Sequence, residues 1–227
     1  MSHILRLSAP KRWPIMRKEG TFSVRPMPGA HSFENGISLN IILKNLLGYA
    51  KTRREVRGIL NKKEILVDSK RRKDDRFLVG IMDIIEIKEL GEYYRLVYNK
   101  KGKFVLNKIS AEEAKIKVCK IVNKTMWKGK KIQYQCYDNR IFIDKTDYKI
   151  GDSVVVDIEK NKIKEHLKFE KGAVVYLIGG SYIGNVGTVD EIQKIDVIFT
   201  IENKKDKTRK KYCYVIGKNK PVINLEK

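Results

Sequence analysis

The sequence predicts an α+β chain of several small modules: an extended basic arm, a helix-helix-strand module, a mostly β middle domain and a small β-barrel at the carboxyl end. Three observations predict it. Apolar residues at helical spacing cluster just after Ser38, alternation of period two prevails from Ile65 onward, and short strands crowd together after Gly172. The expected boundaries are 1–38 for the arm, 39–92 for the helical module, 93–171 for the middle domain and 172–227 for the barrel with a short tail.

The arm, Met1 to Ser38, holds four of the five prolines and follows neither period. Lys11, Arg12, Arg17, Lys18 and Arg25 make it basic, and Trp13, Phe22 and Phe33 are available to pack on a neighbour or to stack on bases. A segment of this kind is expected to order on a polyanion, whose phosphate contacts offset the entropy cost.

From Ser38 to about Tyr49, Leu39, Ile42, Leu43, Leu46 and Leu47 recur at helical spacing, with Ser38 or Asn40 as amino cap. Thr52 then caps a second helix with Glu55 as its capping-box partner and Val56, Ile59 and Leu60 as its buried stripe. Ile65 and Val67 begin a short strand that turns at Asp68 to Lys70, and Gly80 to Ile87 reads as another.

Further strands are expected at Tyr94 to Tyr98, Lys103 to Leu106, Ile132 to Tyr137, Arg140 to Ile143, Ser153 to Ile158 and Ile163 to Phe169. Ser110 with Glu112 and Glu113 predicts a brief helical turn before alternation resumes at Val118 and Ile121. Val174 to Ile178, Gly187 to Ile192, Asp196 to Glu202 and Lys211 to Ile216 complete the series, and strands so closely spaced tend to close into a barrel because closure removes exposed edges.

Charge narrows the function. Lys and Arg outnumber Asp and Glu by 49 to 27, a formal charge of +22 on 227 residues, and an excess of that size calls for an anionic partner. No stretch approaches the roughly 20 apolar residues of a spanning helix, and Met1 to Arg12 has no apolar core beside a cleavage site, so an intracellular protein without a membrane partner is expected. Cys119, Cys136 and Cys213 lack any CxxC spacing and read as buried thiols. His3, His31 and His166 are scattered, and no nucleophile with its base, metal set or GKS/GKT phosphate loop emerges, so neither enzyme activity, cofactor, metal nor small-molecule substrate is expected. His31 reads as a structural hydrogen-bonding residue. Adjacent pairs such as Asp74 with Asp75 read as solvated charge.

The strongest local signal is a basic stripe. Arg53, Arg54 and Arg57 lie three and four apart, on the face opposite Val56, Ile59 and Leu60. Like charges so close destabilise a lone helix, so a counter-charge is expected there; the plain alternative is a solvated helix face. Lys51, Lys62, Lys63, the run Lys70, Arg71, Arg72, Lys73, and Arg76 extend the stripe. Gly172, Gly179, Gly180, Gly184 and Gly187 do not form a dinucleotide loop, because a strand follows where a helix is required; they read as turn and close-approach positions in a barrel.

The order of segments resembles the ribosomal protein four family of eukaryotic and archaeal small subunits. Ala9, Pro10, Lys11, Arg12 and Trp13 resemble its opening, and Gly29, His31, Glu34, Ser38 and Leu39 follow. Lys44, Asn45, Tyr49, Ala50, Glu55 and Val56 resemble its S-four-like RNA-binding module. Gly102, Lys103, Phe104, Ile109, Glu112 to Lys115, Lys117, Cys119, Lys120, Gly151, Asp152, Lys168 and Phe169 track its middle domain. Gly172 to Val189 is similar to the KOW motif of SH3-like barrels, and Val215, Ile216, Gly217, Lys220 and Pro221 to the family's late strand. Three departures stand out: the chain stops at Lys227 where relatives continue, Lys44 replaces a usual Arg, and a Lys-rich hairpin, Lys204 to Lys211, replaces a Gly-Asn-rich segment.

The resemblance implies a structural constituent of the cytoplasmic, 40S-type small subunit that binds its ribosomal RNA beside neighbouring ribosomal proteins, with nucleolar passage in a eukaryotic host. The expected contacts are Lys11, Arg12 and Trp13 in the arm, the helix stripe with its loop, and Ser181 and Asn185 in the KOW loop. Phosphates would dominate, because side chains reach bases poorly in the deep groove of A-form RNA. Two rivals remain at this point: an accessory of an RNA-modifying enzyme, and a KOW-type RNA-binding regulator not stably held on the ribosome.

Overall fold

A computed structural model gives the fold and describes residues 3–201 and 204–225. Met1 and Ser2 of the expected arm, the expected strand end at Glu202 with Asn203, and Glu226 and Lys227 of the expected tail lie outside the described residues. The chain divides into two compact units, Met1–Val97 with Lys103–Ala114 and Tyr98–Gly102 with Lys115–Lys227.

In the first unit the amino-terminal segment is folded, which corrects the expectation of an arm without structure of its own. His3–Leu5 pairs antiparallel with Phe22–Val24, and arginines tie the aperiodic chain between them. Arg6 Nη1 donates to Met16 O at 2.8 Å and pairs with Glu19 at 3.1 Å, while Arg17 Nη1 donates to Leu7 O at 2.8 Å. Trp13 is 1% exposed, donates through Nε1 to Gly36 O at 2.9 Å, and meets Phe33 edge to face. Guanidinium groups that satisfy loop carbonyls leave no apolar period behind, so hydrophobic spacing carries no trace of this fold.

Ser38 caps the first helix, its Oγ accepting from Ile41 N at 3.4 Å. Leu39–Ile41 is α-helical and Ile42–Leu46 widens into a π turn closed by Leu47 N donating to Ile42 O at 2.9 Å. The helix therefore ends before the expected Tyr49, because Gly48 takes φ +71° and turns the chain. Tyr49 instead donates its hydroxyl to Glu92 at 2.6 Å, beside Tyr94 and Lys108. The Lys108 ammonium, with the Tyr49 and Tyr94 hydroxyls, pulls the Glu92 carboxyl down to about 2.

The second helix, Arg53–Lys62, carries the full capping box between Thr52 and Glu55, and Val56 and Leu60 are fully buried on its inner face. Ile65–Val67 follows and turns onto Lys70–Arg71 through Asp68 and Ser69, both at positive φ, as a two-residue hairpin loop requires. The single strand expected over Gly80 to Ile87 is two strands, Leu78–Gly80 and Ile84–Ile87. They are separated by a turn in which Met82 has φ +66°. Asp83 holds this turn: its carboxylate accepts from Gly80 N at 2.8 Å and lies 2.9 Å from His31 Nε2, the structural role expected of that buried histidine. A Cβ on Gly80 would overlap the His31 ring. Ile84–Ile87 sits between Ile65–Val67 and Glu92–Tyr98 in a five-stranded sheet that Phe104–Ile109 completes, and the brief turn at Glu113–Lys115 is present.

The second unit holds two five-stranded antiparallel sheets. The first runs in the order Ile141–Asp144, Lys131–Cys136, Ile116–Trp127, Ser153–Asp157, Lys162–Leu167, with Ile121, Tyr134, Phe142, Tyr148 and Val154 among its core residues. Ile116–Trp127 is longer than the two alternating residues at its centre foretold. The other sheet orders Lys204–Arg209, Asp196–Ile201, Val186–Ile192, Val174–Leu177 and Cys213–Gly217. Its Lys-rich outer strand is the hairpin expected from Lys204. Gly184, at φ +82°, lies so close to Asn99 O that a Cβ would collide with it.

Candidate nucleic-acid interface

The arginine stripe on the second helix is split by one acid. Asp75 is 3% exposed and accepts from Arg53 Nε at 2.6 Å on one carboxylate oxygen and from Arg57 Nε at 3.1 Å on the other. Asn40 supports it from the first helix, with Nδ2 at 3.4 Å and its backbone N donating to Asp75 O at 2.9 Å. Burial pushes the Asp75 carboxyl up, but the hydrogen bonds from Arg53 and Arg57 outweigh it and hold the group below its ordinary value. The reading of Asp74 and Asp75 as solvated charge is thus corrected for Asp75. Asp74 opens a turn closed by Phe77 N donating to its carbonyl at 3.2 Å, and its carboxylate, exposed, accepts from Arg76 N at 2.8 Å while Asp75 turns under the helix. The counter-charge expected for the stripe is, for two of its members, internal. That pairing also draws the Lys70 to Arg76 segment against the helix.

The other predicted residues fall into committed and uncommitted groups. Lys63 pairs with Glu89 at 2.8 Å, Arg71 donates to Asn61 O at 3.2 Å, Arg72 lies 4.2 Å over the Phe77 ring, and Arg76 Nε donates to Arg25 O at 3.2 Å. Arg54, Lys62, Lys70 and Lys73 are exposed and make no ion pair among the described residues, and Lys51 is exposed beside them in sequence. Arg57, although held at Nε, keeps 57% of its side chain exposed, against 33% for Arg53.

In the amino-terminal segment Lys11 is exposed and Arg12 is half-buried, donating to Asn35 Oδ1. Trp13 is a correction: its ring is enclosed and presents no face on which a base could stack. Ser181 and Asn185 belong to the second unit. Ser181 is exposed, and Asn185 Nδ2 donates to Tyr182 O at 3.2 Å within a loop whose Gly180 and Gly184 both have φ +82°. Sequence reasoning missed Asp75 as the organiser of the stripe. An acid lying between Lys70 to Lys73 and Arg76, just after a helix that carries three arginines on one face, is the signal that could have found it.

All three cysteines are free and buried, and burial pushes the Cys213 thiol up to about 11. Among the described residues no group of His, Cys, Asp and Glu could hold a metal ion, and no helix is long and apolar enough to cross a membrane.

These features define a class: a strongly basic, mostly antiparallel β protein with a short two-helix module that carries an arginine-rich face. The family model described as "RS4NT (NUC023) domain" matches residues 2–34, "S4 domain" matches 39–85, and "Ribosomal family S4e" matches 90–163. The chain is 36% identical over 98% of its length to small ribosomal subunit protein eS4 of Methanocaldococcus jannaschii, 97% of which is covered. It is 39% identical over 99% of its length to that of Methanopyrus kandleri, with 95% of that protein covered. The crystal structure of the 30S ribosomal protein S4e from Thermoplasma acidophilum superposes with a TM-score of 0.72 at 33% identity, covering 81% of this chain and 95% of that one. The chain belongs to the small ribosomal subunit protein eS4 family.

Proposed function

We propose that this protein is a structural, non-catalytic constituent of the small ribosomal subunit that grips small-subunit ribosomal RNA through its phosphates. The observation that carries the reading is the state of the second helix. Arg53 and Arg57 are anchored on buried Asp75, which fixes the helix against the loop, while Arg54, Lys62, Lys70 and Lys73 stay exposed and unneutralised. Cations pre-positioned on a rigid element suit a folded RNA backbone, because little side-chain and loop entropy is lost on contact.

Within this reading Lys51, Arg54, Arg57, Lys62, Lys70 and Lys73 form the principal contact. Lys11 and Arg12 form a second, and the glycine-marked loop with Ser181 and Asn185 a third, the last sheet acting as a KOW-type, SH3-like barrel. The functional modules would be 1–38, 39–92, 93–171 and 172–227, with neighbouring ribosomal proteins as further partners. Its place is the ribosome, and passage through a nucleolus applies only in a eukaryotic host.

Sedimentation tests the assignment. The protein should travel with small subunits and stay with them through a high-salt wash at one copy per subunit. Loss of the protein in the wash would favour a transient regulator. A filter-binding salt titration tests the surface: Arg54→Glu with Lys62→Glu should weaken binding to small-subunit RNA and flatten its dependence on log salt. An unchanged titration would remove this helix face from the contact.

A further inference from the structure

Strand Ile116–Trp127 leaves its own core halfway along. Lys117 to Ile121 are buried, and every residue from Val122 to Trp127 is exposed. The strand turns at Gly129, φ +72°, and returns as Lys131–Cys136, with Trp127 opposite Lys131 at the end of the ladder. Met126 is 73% and Trp127 51% exposed there. From Val122 to Cys136 the sequence contains four lysines, Lys124, Lys128, Lys130 and Lys131, and no acid. Lys124 is paired with Asp147 at 3.0 Å, whereas Lys128 and Lys131 make no ion pair among the described residues.

An exposed tryptophan at a hairpin tip keeps a large apolar ring in water, so its burial awaits a partner. The charge around it selects which one. A protein-docking patch is typically depleted of charge at its centre, while here every charged residue flanking the tryptophan in the hairpin sequence is a lysine; a polyanion with flat faces matches both properties. We infer that the tip from Met126 to Lys131 is a separate RNA contact, in which Trp127 stacks on an unpaired base of ribosomal RNA and Lys128 and Lys131 take the flanking phosphates. The inference rests on the RNA-binding reading above. Stacking on a π-face is tolerant of sequence, so any unpaired base would serve.

The chain has two tryptophans, and Trp13 is enclosed, so Trp127 reports on its own contact. The full-length protein is titrated with small-subunit ribosomal RNA while emission and affinity are followed for wild type, Trp127→Ala, Trp127→Phe and Arg54→Glu. Denaturation midpoints confirm that each variant is folded. Stacking predicts quenching in wild type, none in Trp127→Ala, a loss of affinity of about 5- to 150-fold for Trp127→Ala, and retention of most affinity by Trp127→Phe. Unquenched emission with unchanged Trp127→Ala affinity, while Arg54→Glu weakens binding, would overturn the hairpin contact and leave the RNA reading intact. A blue shift appearing only when subunit proteins are added would assign the tip to a protein and overturn it equally. If the wild-type protein does not bind the RNA, the RNA reading fails and this inference with it.

Discussion

Asp75 in the first unit and Asp138 in the second are both buried, and each gathers two cations, yet they leave those cations in different states. Asp138 takes Lys117 at 2.9 Å and Arg140 at 3.0 Å, and the side chains of those partners are 1% and 19% exposed. Asp75 takes Arg53 and Arg57, which remain 33% and 57% exposed. Around Asp138 the charge is sealed and its work is internal. Around Asp75 the carboxylate holds one end of each guanidinium and leaves much of the rest to solvent, so the same ion cluster orders a helix and presents it. A buried acid among basic residues thus has two uses, and the exposure of its partners distinguishes them.

The comparison is broken most directly at Asp138. Asp138→Ala removes the carboxylate that Lys117 and Arg140 share, and removing one partner of a buried pair costs about 3–5 kcal/mol. Urea unfolding should register most of that loss, and a change under about 1 kcal/mol would mean that Lys117 finds water instead. At Asp75 the penalty should be smaller, since both partners can turn to solvent: Asp75→Asn is expected to cost about 1–2 kcal/mol. It should also steepen the salt dependence of RNA binding by releasing two arginines. A salt slope unchanged in that variant would separate the clamp from the interface.

Proton linkage sharpens the contrast. The folded carboxyl of Asp75 lies below its unfolded value of about 3.9, so the unfolded chain binds more protons between the two. The stability from Asp75 is complete above the unfolded value and lost as pH falls through the folded one. Asp75→Asn should therefore flatten part of the acid limb of a stability–pH curve.

Lys120 is the basic counterpart. It is 5% exposed, its ammonium donates to the carbonyls of Lys211 at 2.8 Å and Cys213 at 2.7 Å, and burial lowers its amine to about 8. Its unfolded value is about 10.4, so the charged amine costs stability below pH 8 and the cost is relieved as pH rises between these values. Lys120→Met should remove that alkaline rise; its persistence would place the proton elsewhere. The smallest effect on stability is expected for Arg54→Glu, within about 0.5 kcal/mol, with RNA affinity falling nonetheless. A large destabilisation there would mean that Arg54 is part of the fold.

Local signals in the sequence were faithful where the cause was local. Thr52 with Glu55 marks the second helix because both halves of a capping box lie within one turn, and Asp68 with Ser69 marks a hairpin because the turn itself demands positive φ. Alternation located most strands of the second unit within a residue or two. The amino-terminal segment was misread because its order comes from guanidinium-to-carbonyl bonds and from Trp13 reaching Gly36, contacts that leave no periodicity. The break between Gly80 and Ile84 was missed because Asp83 and His31 impose it across 52 residues of separation.

The candidate site divides in the same manner. Residue type and spacing were enough to name the arginine stripe, since a helix places residues three and four apart on one face whatever surrounds it. Which of those arginines are free could not be read, because that depends on Asp75 arriving from a segment 18 and 22 residues away. By itself, then, the sequence determined the charge, the secondary-structure periods and the family likeness, all of which are sums or short-range patterns. Tertiary structure alone decided that Arg53 is an anchor, that Trp13 is core and that Trp127 is exposed. Burial and charge pairing are properties of neighbours in space, and two tryptophans identical in chemistry acquire opposite roles from the packing around them.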